Sequence, residues 1–412
     1  MTSIVLGINC GHDATACLLV DGKISAAVAE ERLNRNKMHL GFPWLAIKEV
    51  LRISKVDPGS LEAVVVPHNA YLNAHPFFIN RIMRKDVQGV DIGNEFGLVS
   101  LTREILHQVK EGGRLSTSIS RTVNGTYARE KFQHSLEELG IRCPLTSIEH
   151  HLAHAASAYY NSGFEECLIL TLDGSGDGVS HTTNIGRRGS ISRLASTSEL
   201  FSPGVFYSAI TKFIGYERHR HEGKITGLAA FGDPNRLYPF LQEVLCLTKD
   251  KNSFSSRKKY SFSGLQKIRW GFRLFSGNYF RSGTTNYLLD LFRENFSSEK
   301  PEDVAAAAQK VLEDSTVELV QKALSDSGMN KIALAGGVCG NVRLNQKISE
   351  IEGVEEVFIH PNMGDGGCAL GGALHYFFNG LKNKGEAFLP QRLKNVYWGP
   401  EYADDEIQIE LY

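Results

Sequence analysis

The sequence has no long apolar run, no paired cysteine motif and no excess of charge of either sign. No stretch approaches the roughly 20 apolar residues of a membrane-spanning helix, and the N-terminus runs into a strand-like pattern without a signal peptide. The seven cysteines are scattered, with no CxxC pair, so neither a disulfide framework nor a thiolate zinc site is expected. The 45 basic and 46 acidic residues nearly balance, which gives no general reason to expect a nucleic acid or an anionic membrane as partner. We therefore expect a cytoplasmic protein whose partners must be inferred from its sites.

The order of predicted strands and helices occurs twice. At 412 residues the chain is too long for one ordinary core. Asp21-Gly22 between two apolar runs predicts a three-stranded antiparallel meander, followed by a helix at 42–54 and a buried parallel strand at Val64–Val66. A second meander begins at ECLILTLDGSGDG, and MNKIALAGGV enters a further strand. This repeat is typical of the duplicated actin-like ATPase fold, an α/β fold of ribonuclease H-like type.

We expect a first actin-like lobe at 1–145, a second at 146–390 and a linker at 391–412. A mostly helical subdomain is expected as an insertion at about 234–301. Its stretch KDKNSFSSRKKYSFSGLQKIRWGFRLF would suit nucleic acid in isolation, but in a chain of balanced charge a solvated face is the favoured interpretation. A long amphipathic helix should follow and end at Gly328.

Three histidines lie close together in the stretch IEHHLAHAASAYY. His150 and His154 are four residues apart, so in a helix they lie one turn apart on one face, as two histidines that share a metal ion do. His151 points elsewhere. Histidines at a helix start can also cap it or lie half exposed, so a metal site requires further ligands.

Two aspartates in glycine-rich segments are candidates for those ligands. Asp173 is expected to end an apolar strand in TLDGSGDG, and Asp365 lies at the mouth of a helix in HPNMGDGGCALGG. Two imidazoles and two carboxylates suit iron, manganese or zinc. The neighbouring residues are expected to bring backbone amides close to a bound anion, although a glycine turn needs no ligand: Gly174, Ser175, Gly176 and Gly366.

A third glycine-rich segment, ALAGGVCGNVRLNQ, is a candidate nucleotide contact. Gly336 and Gly337 follow a strand, and Asn341 and Asn345 are expected on the next helix. An adenosine could lie against this backbone; close packing of strand and helix is the alternative.

The first hairpin carries the sequence GHD. His12 and Asp13 occupy the position of the first phosphate loop in actin-like ATPases. A His-Asp pair can orient an imidazole as a general base for a hydroxyl nucleophile. We therefore treat both residues as catalytic candidates.

The chain resembles the carbamoyltransferase family of antibiotic and nodulation-factor biosynthesis. The matching segments occur in order from about residue 4 to 400: LGINCGHDATACLLVDGKISAAVAEERLNRNK, EHHLAHAASAYY, LTLDGSGDG, YSAITKFIGYERHRHEGKITGLAAFGDP, ALAGGVCGNVRLNQKI and HPNMGDGGCALGGAL. The resemblance implies an actin-like domain, related to the one that makes threonylcarbamoyl-adenosine in tRNA, that binds carbamoyl-adenylate and an iron-type metal. It also implies that His150, His154, Asp173 and Asp365 are metal ligands, and that Lys224 faces the nucleotide or substrate anion.

The resemblance leads us to expect transfer of a carbamoyl group from carbamoyl-adenylate, made from ATP and carbamoyl phosphate, to a hydroxyl of a sugar-containing small molecule. Family members continue into a YrdC-like domain that forms the adenylate, so a separate adenylate-forming protein is the expected partner. Alternatives are threonylcarbamoylation of tRNA adenosine and a non-catalytic nucleotide-binding subunit or fragment. A kinase is disfavoured, because magnesium-phosphate chemistry prefers oxygen and water ligands to histidine.

Overall fold

The computed structural model describes residues 2–73, 79–80, 82–83, 115–258 and 280–411. The strands in these ranges are β1 (Ile4–Asn9), β2 (Thr15–Val20), β3 (Lys23–Ala29), β4 (Ala63–Val66), β5 (Leu145–Ser147), β6 (Glu166–Gly176), β7 (Val179–Arg187), β8 (Ser190–Ser198), β9 (Cys246–Leu247), β10 (Phe254–Ser255), β11 (Lys331–Ala335) and β12 (Glu356–Ile359). The helices are α1 (Glu30–Asn34), α2 (Trp44–Ser54), α3 (Leu115–Glu137), α4 (His150–Ser162), α5 (Pro203–Phe213), α6 (Glu222–Leu228), α7 (Tyr238–Val244), α8 (Phe280–Phe296), α9 (Pro301–Ser327), α10 (Val342–Ser349), α11 (Cys368–Asn383) and α12 (Asp404–Leu411).

The first sheet has the strand order β3-β2-β1-β4-β5. Strands β1 to β3 form the predicted antiparallel meander, and β4 and β5 run parallel to β1. Asp21 and Gly22 both have positive φ, at 48° and 75°, which is the backbone of the tight turn that joins twisted antiparallel strands. The hairpin and the parallel strand at Val64–Val66 are therefore confirmed.

The second sheet repeats this order as β8-β7-β6-β11-β12, with an antiparallel meander followed by two parallel strands. Two sheets of the same order and direction confirm the duplicated actin-like architecture. One detail differs from the prediction. Strand β6 continues to Gly176, because the tight turn is formed by Asp177 and Gly178, so Asp173 lies within the strand at an irregularity of its pairing with β7.

Helices α4 and α11 pack between the two sheets and join them into one core. This core combines apolar residues of both sheets with those of the two helices: Val5, Leu19, Val65, Ala155, Tyr159, Ile169, Ala333, Ala369 and Ala373. The helices approach closely, since a Cβ atom on Gly371 would lie 1.9 Å from the carbonyl oxygen of Ala153. The start of each helix is thereby brought to one end of the interface between the sheets.

The predicted insertion contains α7, the short β9–β10 ribbon and α8 among its described residues, and the basic and aromatic stretch falls outside them from residue 259 onward. Helix α9 follows as predicted and ends at Gly328, whose φ is 67°. The region expected to be a linker contains the short helix α12, and its Trp398 carbonyl accepts a hydrogen bond from Ala27 N–H at 3.0 Å. Within the described part of the chain, every helix is too short or too polar to cross a bilayer.

Candidate metal centre

The histidine pair lies in the first turns of α4. Glu149 precedes the helix and caps it, because its carboxylate accepts a hydrogen bond from Leu152 N–H at 2.8 Å. His150 and His154 are both completely buried, and their Nε2 atoms are 3.0 Å apart. The predicted sharing of one helix face is therefore confirmed, whereas a half-exposed capping role is excluded.

The third histidine of the stretch belongs to the core. His151 Nδ1 lies 2.6 Å from the hydroxyl of Thr171, and its Nε2 lies 3.0 Å from the carbonyl oxygen of Val179. Burial, together with the neighbouring imidazoles, lowers the pKa of His151 well below its ordinary value. Because both of its nitrogens contact protein oxygens, His151 is a structural residue. This agrees with the expectation that its side chain points away from the face shared by His150 and His154.

Both candidate aspartates converge on the histidine pair. Asp173 Oδ2 lies 3.7 Å from His150 Nε2, and Asp365 Oδ1 lies 3.6 Å from the Nε2 atoms of both His150 and His154. Ligand atoms of these four buried residues all lie within 4.8 Å of one another. The structure thus brings together the four residues that the sequence analysis gave as candidate metal ligands. We call them the His2Asp2 cluster.

The spacing of the His2Asp2 cluster fits a divalent ion. Atoms bound at about 2.1 Å to one ion, at angles of about 90° to 110°, are roughly 3.0 to 3.4 Å apart. The contacts between these side chains run from 3.0 Å, within this range, to 3.7 Å, a few tenths of an ångström above it, so a small closure of the side chains would suffice to bind one ion. Within the described chain, the buried Asp365 Oδ1 has no hydrogen-bond donor, so an electropositive partner between the four side chains would satisfy it.

Backbone and side-chain donors hold the two carboxylates in place. Asp173 accepts hydrogen bonds from Gly337 N–H at 2.9 Å and from Ser175 N–H at 3.2 Å. Asp365 Oδ2 lies 3.1 Å from His12 Nε2. Carboxylates that bind metals are normally oriented by outer partners of this kind. Mixed nitrogen and oxygen donors suit iron, manganese or zinc, as the sequence indicated.

The imidazoles and carboxylates of the cluster shift one another's pKa values. Burial by itself lowers the pKa of His150, but the carboxylates of Asp365, Asp173 and Asp177 outweigh it and raise that pKa to about 9. Burial by itself raises the pKa of Asp365, but His12 and His150 hold it well below its usual range. The cluster thus concentrates negative charge that only cations or protonated imidazoles can balance.

His12 and Asp13 are in contact with each other and with the cluster. His12 Nδ1 lies 3.0 Å from Asp13 Oδ2, while His12 Nε2 faces Asp365. Asp13 has a positive φ of 58°, a conformation that aspartate tolerates better than most residues. Both imidazole nitrogens therefore face carboxylate oxygens, and His12 can accept a proton only after one of these contacts opens.

The glycines beside the cluster serve close packing. A Cβ atom on Gly176 would lie 2.0 Å from His150 Cδ2, and one on Gly336 would lie 2.2 Å from the carbonyl oxygen of Leu172. A Cβ atom on Gly366 would lie 2.8 Å from the side chain of Asn362. Gly174 adjoins the N-terminus of α5, because a Cβ atom on Gly204 would lie 2.9 Å from its Cα.

Two further candidates for nucleotide contacts lie beyond the cluster. Asn341 is the N-cap of α10 instead of a residue inside it, and its amide also bonds Gln309 at 2.8 Å. Lys224 lies on an exposed part of α6, with Nζ 5.1 Å from the ring centroid of Tyr216. The loop before α6 does reach the site, since the rings of His219 and His12 are 6.2 Å apart.

Three side chains around the cluster were assigned no site role from the sequence, and one of them, Cys368, was interpreted as a packing residue. The His68 ring lies 4.1 Å from the His150 ring, Asp177 accepts a hydrogen bond from His150 N–H, and Cys368 joins the histidine pair in a second possible ligand group. His68 follows the buried strand β4, and polar residues at strand ends are a usable signal. Asp177 was visible only as part of a predicted turn.

Comparison with known proteins agrees with the geometry over most of the chain. A family profile described as Carbamoyltransferase N-terminus matches residues 4–374. The nodulation protein NolNO of Sinorhizobium fredii (strain NBRC 101917 / NGR234) is 28% identical over 397 residues, which are 96% of this chain and 50% of that protein. This chain spans about half the length of the curated relatives it matches.

Two more distant similarities were found. A tRNA N6-adenosine threonylcarbamoyltransferase of Caldicellulosiruptor saccharolyticus is 38% identical over 78 residues, which are 18% of this chain and 22% of that protein. The crystal structure of the Acidaminococcus fermentans (R)-2-hydroxyglutaryl-CoA dehydratase component A is 12% identical and has a TM-score of 0.44, covering 92% of this chain and 99% of that one. The strand order of the two sheets, and not this distant structure, identifies the fold.

Proposed function

The chain belongs to the carbamoyltransferase family, and we propose that it catalyses the transfer half of an O-carbamoylation. The profile of the family's N-terminal region matches residues 4–374 of this chain. The donor is carbamoyl-adenylate, formed from ATP and carbamoyl phosphate, and the acceptor is a hydroxyl of a sugar-containing small molecule. The observation that supports this most strongly is the buried His2Asp2 cluster between the two sheets.

The reaction joins the acceptor's hydroxyl oxygen to the carbamoyl carbon and breaks the bond from that carbon to the phosphate oxygen, so that AMP leaves. A carbamoyl carbonyl is a poor electrophile and reacts slowly unless its oxygen is polarised. Iron(II) or another divalent ion held by His150, His154, Asp173 and Asp365 would supply Lewis acidity.

His12 is the best-placed residue to receive the acceptor's proton. Asp13 lies 3.0 Å from its Nδ1 and would keep the proton on that nitrogen, which leaves Nε2 for proton transfer. Nε2 must first leave Asp365, 3.1 Å away, and release to solvent the proton that the two groups share, so binding of the metal ion, donor and acceptor would have to open this contact. His12 is thereby both a partner of Asp365 and the proposed general base.

We place the adenylate along the C-terminal end of β6 and the segment that follows β11. These contain the Gly174-Ser175-Gly176 and Gly336-Gly337 segments. Asn341 follows the second segment closely, and Gly366 adjoins the candidate ligand Asp365. Two of their amides, of Ser175 and Gly337, already donate to Asp173 and would support it instead of the phosphate. Lys224 remains the proposed cation for the substrate anion, because it is exposed beside the loop that reaches His12.

A separate adenylate-forming protein is the proposed partner, because the transfer needs carbamoyl-adenylate as its donor. The test incubates the purified chain, loaded with Fe2+, with ATP, carbamoyl phosphate and an aminoglycoside-type acceptor, with and without a YrdC-like protein. Chromatography would resolve AMP from ADP and detect carbamoylated acceptor. We expect AMP and product only when the second protein is present.

The variant His154→Ala should lose both bound metal and product. His134→Ala is the matched control, because that histidine is exposed on α3, and it should behave as wild type. Product from metal-free His154→Ala would contradict the role of the cluster. AMP formed without the second protein would contradict the proposed partner, and ADP in place of AMP would indicate a kinase.

A second candidate is threonylcarbamoyl transfer to tRNA adenosine, which the short match to a tRNA N6-adenosine threonylcarbamoyltransferase favours. The two functions share donor chemistry and differ in acceptor. A gel-shift measurement with tRNA separates them. Binding at submicromolar concentration, together with transfer of a threonylcarbamoyl group, would favour the tRNA function over the small-molecule one.

A further inference from the structure

A single carboxylate from the β6–β7 turn joins three parts of the chain behind the His2Asp2 cluster. Asp177 accepts hydrogen bonds from Ala70 N–H at 2.8 Å, from His150 N–H at 2.9 Å and from Asn69 N–H at 3.1 Å. Its Oδ1 also lies 3.4 Å from His68 Nδ1. The loop after β4 of the first sheet and the first turn of α4 are therefore held by one side chain of the second sheet.

The position of Asp177 is itself well determined. Its φ of 51° and the φ of 85° at Gly178 form the tight turn between β6 and β7, so the carboxylate leaves the turn in a defined direction. Burial by itself raises the pKa of Asp177, but His68 and the amides that bond it hold that pKa well below its usual range. The carboxylate is thus charged at neutral pH, and it accepts the hydrogen bonds as an anion.

His68 contacts both Asp177 and the candidate metal ligand His150. Its ring lies 4.1 Å from the His150 ring at 31° and 4.3 Å from the Tyr71 ring at 29°. His150 also meets His154 edge-on, with their ring centroids 4.5 Å apart, which leaves it little rotational freedom.

We propose that Asp177 and His68 are positioning residues that hold His150 in its metal-binding orientation across the junction of the two sheets. His150 is the first residue of α4, where backbone N–H groups have no partner within the helix and the end would otherwise fray. Asp177 accepts a hydrogen bond from the His150 N–H, and His68 packs against the imidazole ring of the same residue. Neither residue belongs to the His2Asp2 cluster, so both act through His150.

This inference rests on the proposed metal site, so the experiment tests the two separately. The full-length chain, stripped of metal, is titrated with Co2+ while its visible absorption is recorded, and its urea unfolding is measured without metal. The variants are Asp177→Asn, His68→Phe and the double variant, with His154→Ala as the variant that removes a proposed ligand. Asp57→Asn is the matched control, because Asp57 also accepts a hydrogen bond from a backbone N–H, that of Gly59 at 2.7 Å, as the exposed N-cap of a short 3-10 helix at Pro58–Ser60.

Loss of an outer partner of a metal-bound histidine typically weakens metal binding about 10- to 100-fold. We expect this loss in Asp177→Asn and in His68→Phe, with a changed Co2+ absorption band in each. Because both act through one ring, the double variant should bind no more than about threefold more weakly than the weaker single variant. Asp57→Asn should bind Co2+ as wild type does.

The opposite results are distinguishable. If wild type binds Co2+, His154→Ala does not, and both positioning variants bind within threefold of wild type with the same spectrum, the positioning role is overturned and the metal site stands. If wild type binds no more Co2+ than His154→Ala, the metal site and the inference are both overturned. Should Asp177→Asn fail to fold, His68→Phe alone decides, since phenylalanine fills the same space but lacks the contact with Asp177 that fixes the ring against His150.

Discussion

The Cα of Gly176 faces the imidazole of His150 so closely that a Cβ atom there would lie 2.0 Å from His150 Cδ2. The glycine lies at the end of β6, and the histidine opens α4. The same contact shows that a glycine in a segment typical of phosphate loops is needed here for the candidate metal ligand. Its role as an anion contact remains a proposal.

Replacing this glycine should disturb the cluster selectively. In Gly176→Ala the methyl group would push the His150 ring away from His154, whose Nε2 is 3.0 Å from that of His150. We expect at least about tenfold weaker Co2+ binding, by analogy with the loss of an outer partner, measured by titration of the metal-free protein. Gly399→Ala is the control, because nothing lies within 4 Å of a Cβ atom at that position. Equal affinities of the two variants would show that the ring has room to move.

A second glycine substitution tests the central layer of helices. Alanine normally favours a helix over glycine by about 1 kcal/mol, but a Cβ atom on Gly371 would lie 1.9 Å from the carbonyl oxygen of Ala153. Overpacking of this kind costs roughly 1 to 3 kcal/mol, so Gly371→Ala should destabilise the protein. Gly380→Ala, on the same helix with nothing within 4 Å, should be neutral or stabilising. Urea denaturation measures both free energies of unfolding, and a stabilised Gly371→Ala would refute the tight contact.

Acid stability should depend on the buried histidine of β7. His181 is completely buried, with its nitrogens 3.0 Å and 2.9 Å from the hydroxyls of Thr197 and Thr183. Burial, aided by Arg193, lowers the pKa of His181 to about 3 from its ordinary value of 6.5. Between these values the unfolded chain binds the proton and the folded chain does not, so stability falls as the pH falls through this window, by up to roughly 1.4 kcal/mol per pH unit.

The variant His181→Gln removes the titrating group, so its stability should fall less steeply than that of wild type between pH 6.5 and 4. Chemical denaturation at several pH values gives the two slopes. His134→Gln, at an exposed position, should keep the wild-type slope. Parallel slopes for wild type and His181→Gln would mean that the proton reaches His181 in the folded state.

The local features of the fold followed from the sequence. Asp21-Gly22 predicted its hairpin, apolar runs predicted the meanders and the parallel strand β4, and the spacing of His150 and His154 predicted one shared helix face. These features depend on residues close in the chain, whose turn chemistry and periodicity are set by local backbone geometry. The repetition of the pattern was enough to indicate a duplicated fold.

The sequence by itself therefore determined the order of elements and the residue types available for a site. Only the tertiary structure decided that Asp173 and Asp365 meet the histidine pair, that His12 contacts Asp365, and that His68 and Asp177 support His150. It also decided that Ser175 and Gly337 donate to Asp173 and that Lys224 lies on an exposed helix. The physical reason is that these contacts join segments far apart in the chain, and they form only where α4 and α11 are packed between the two sheets.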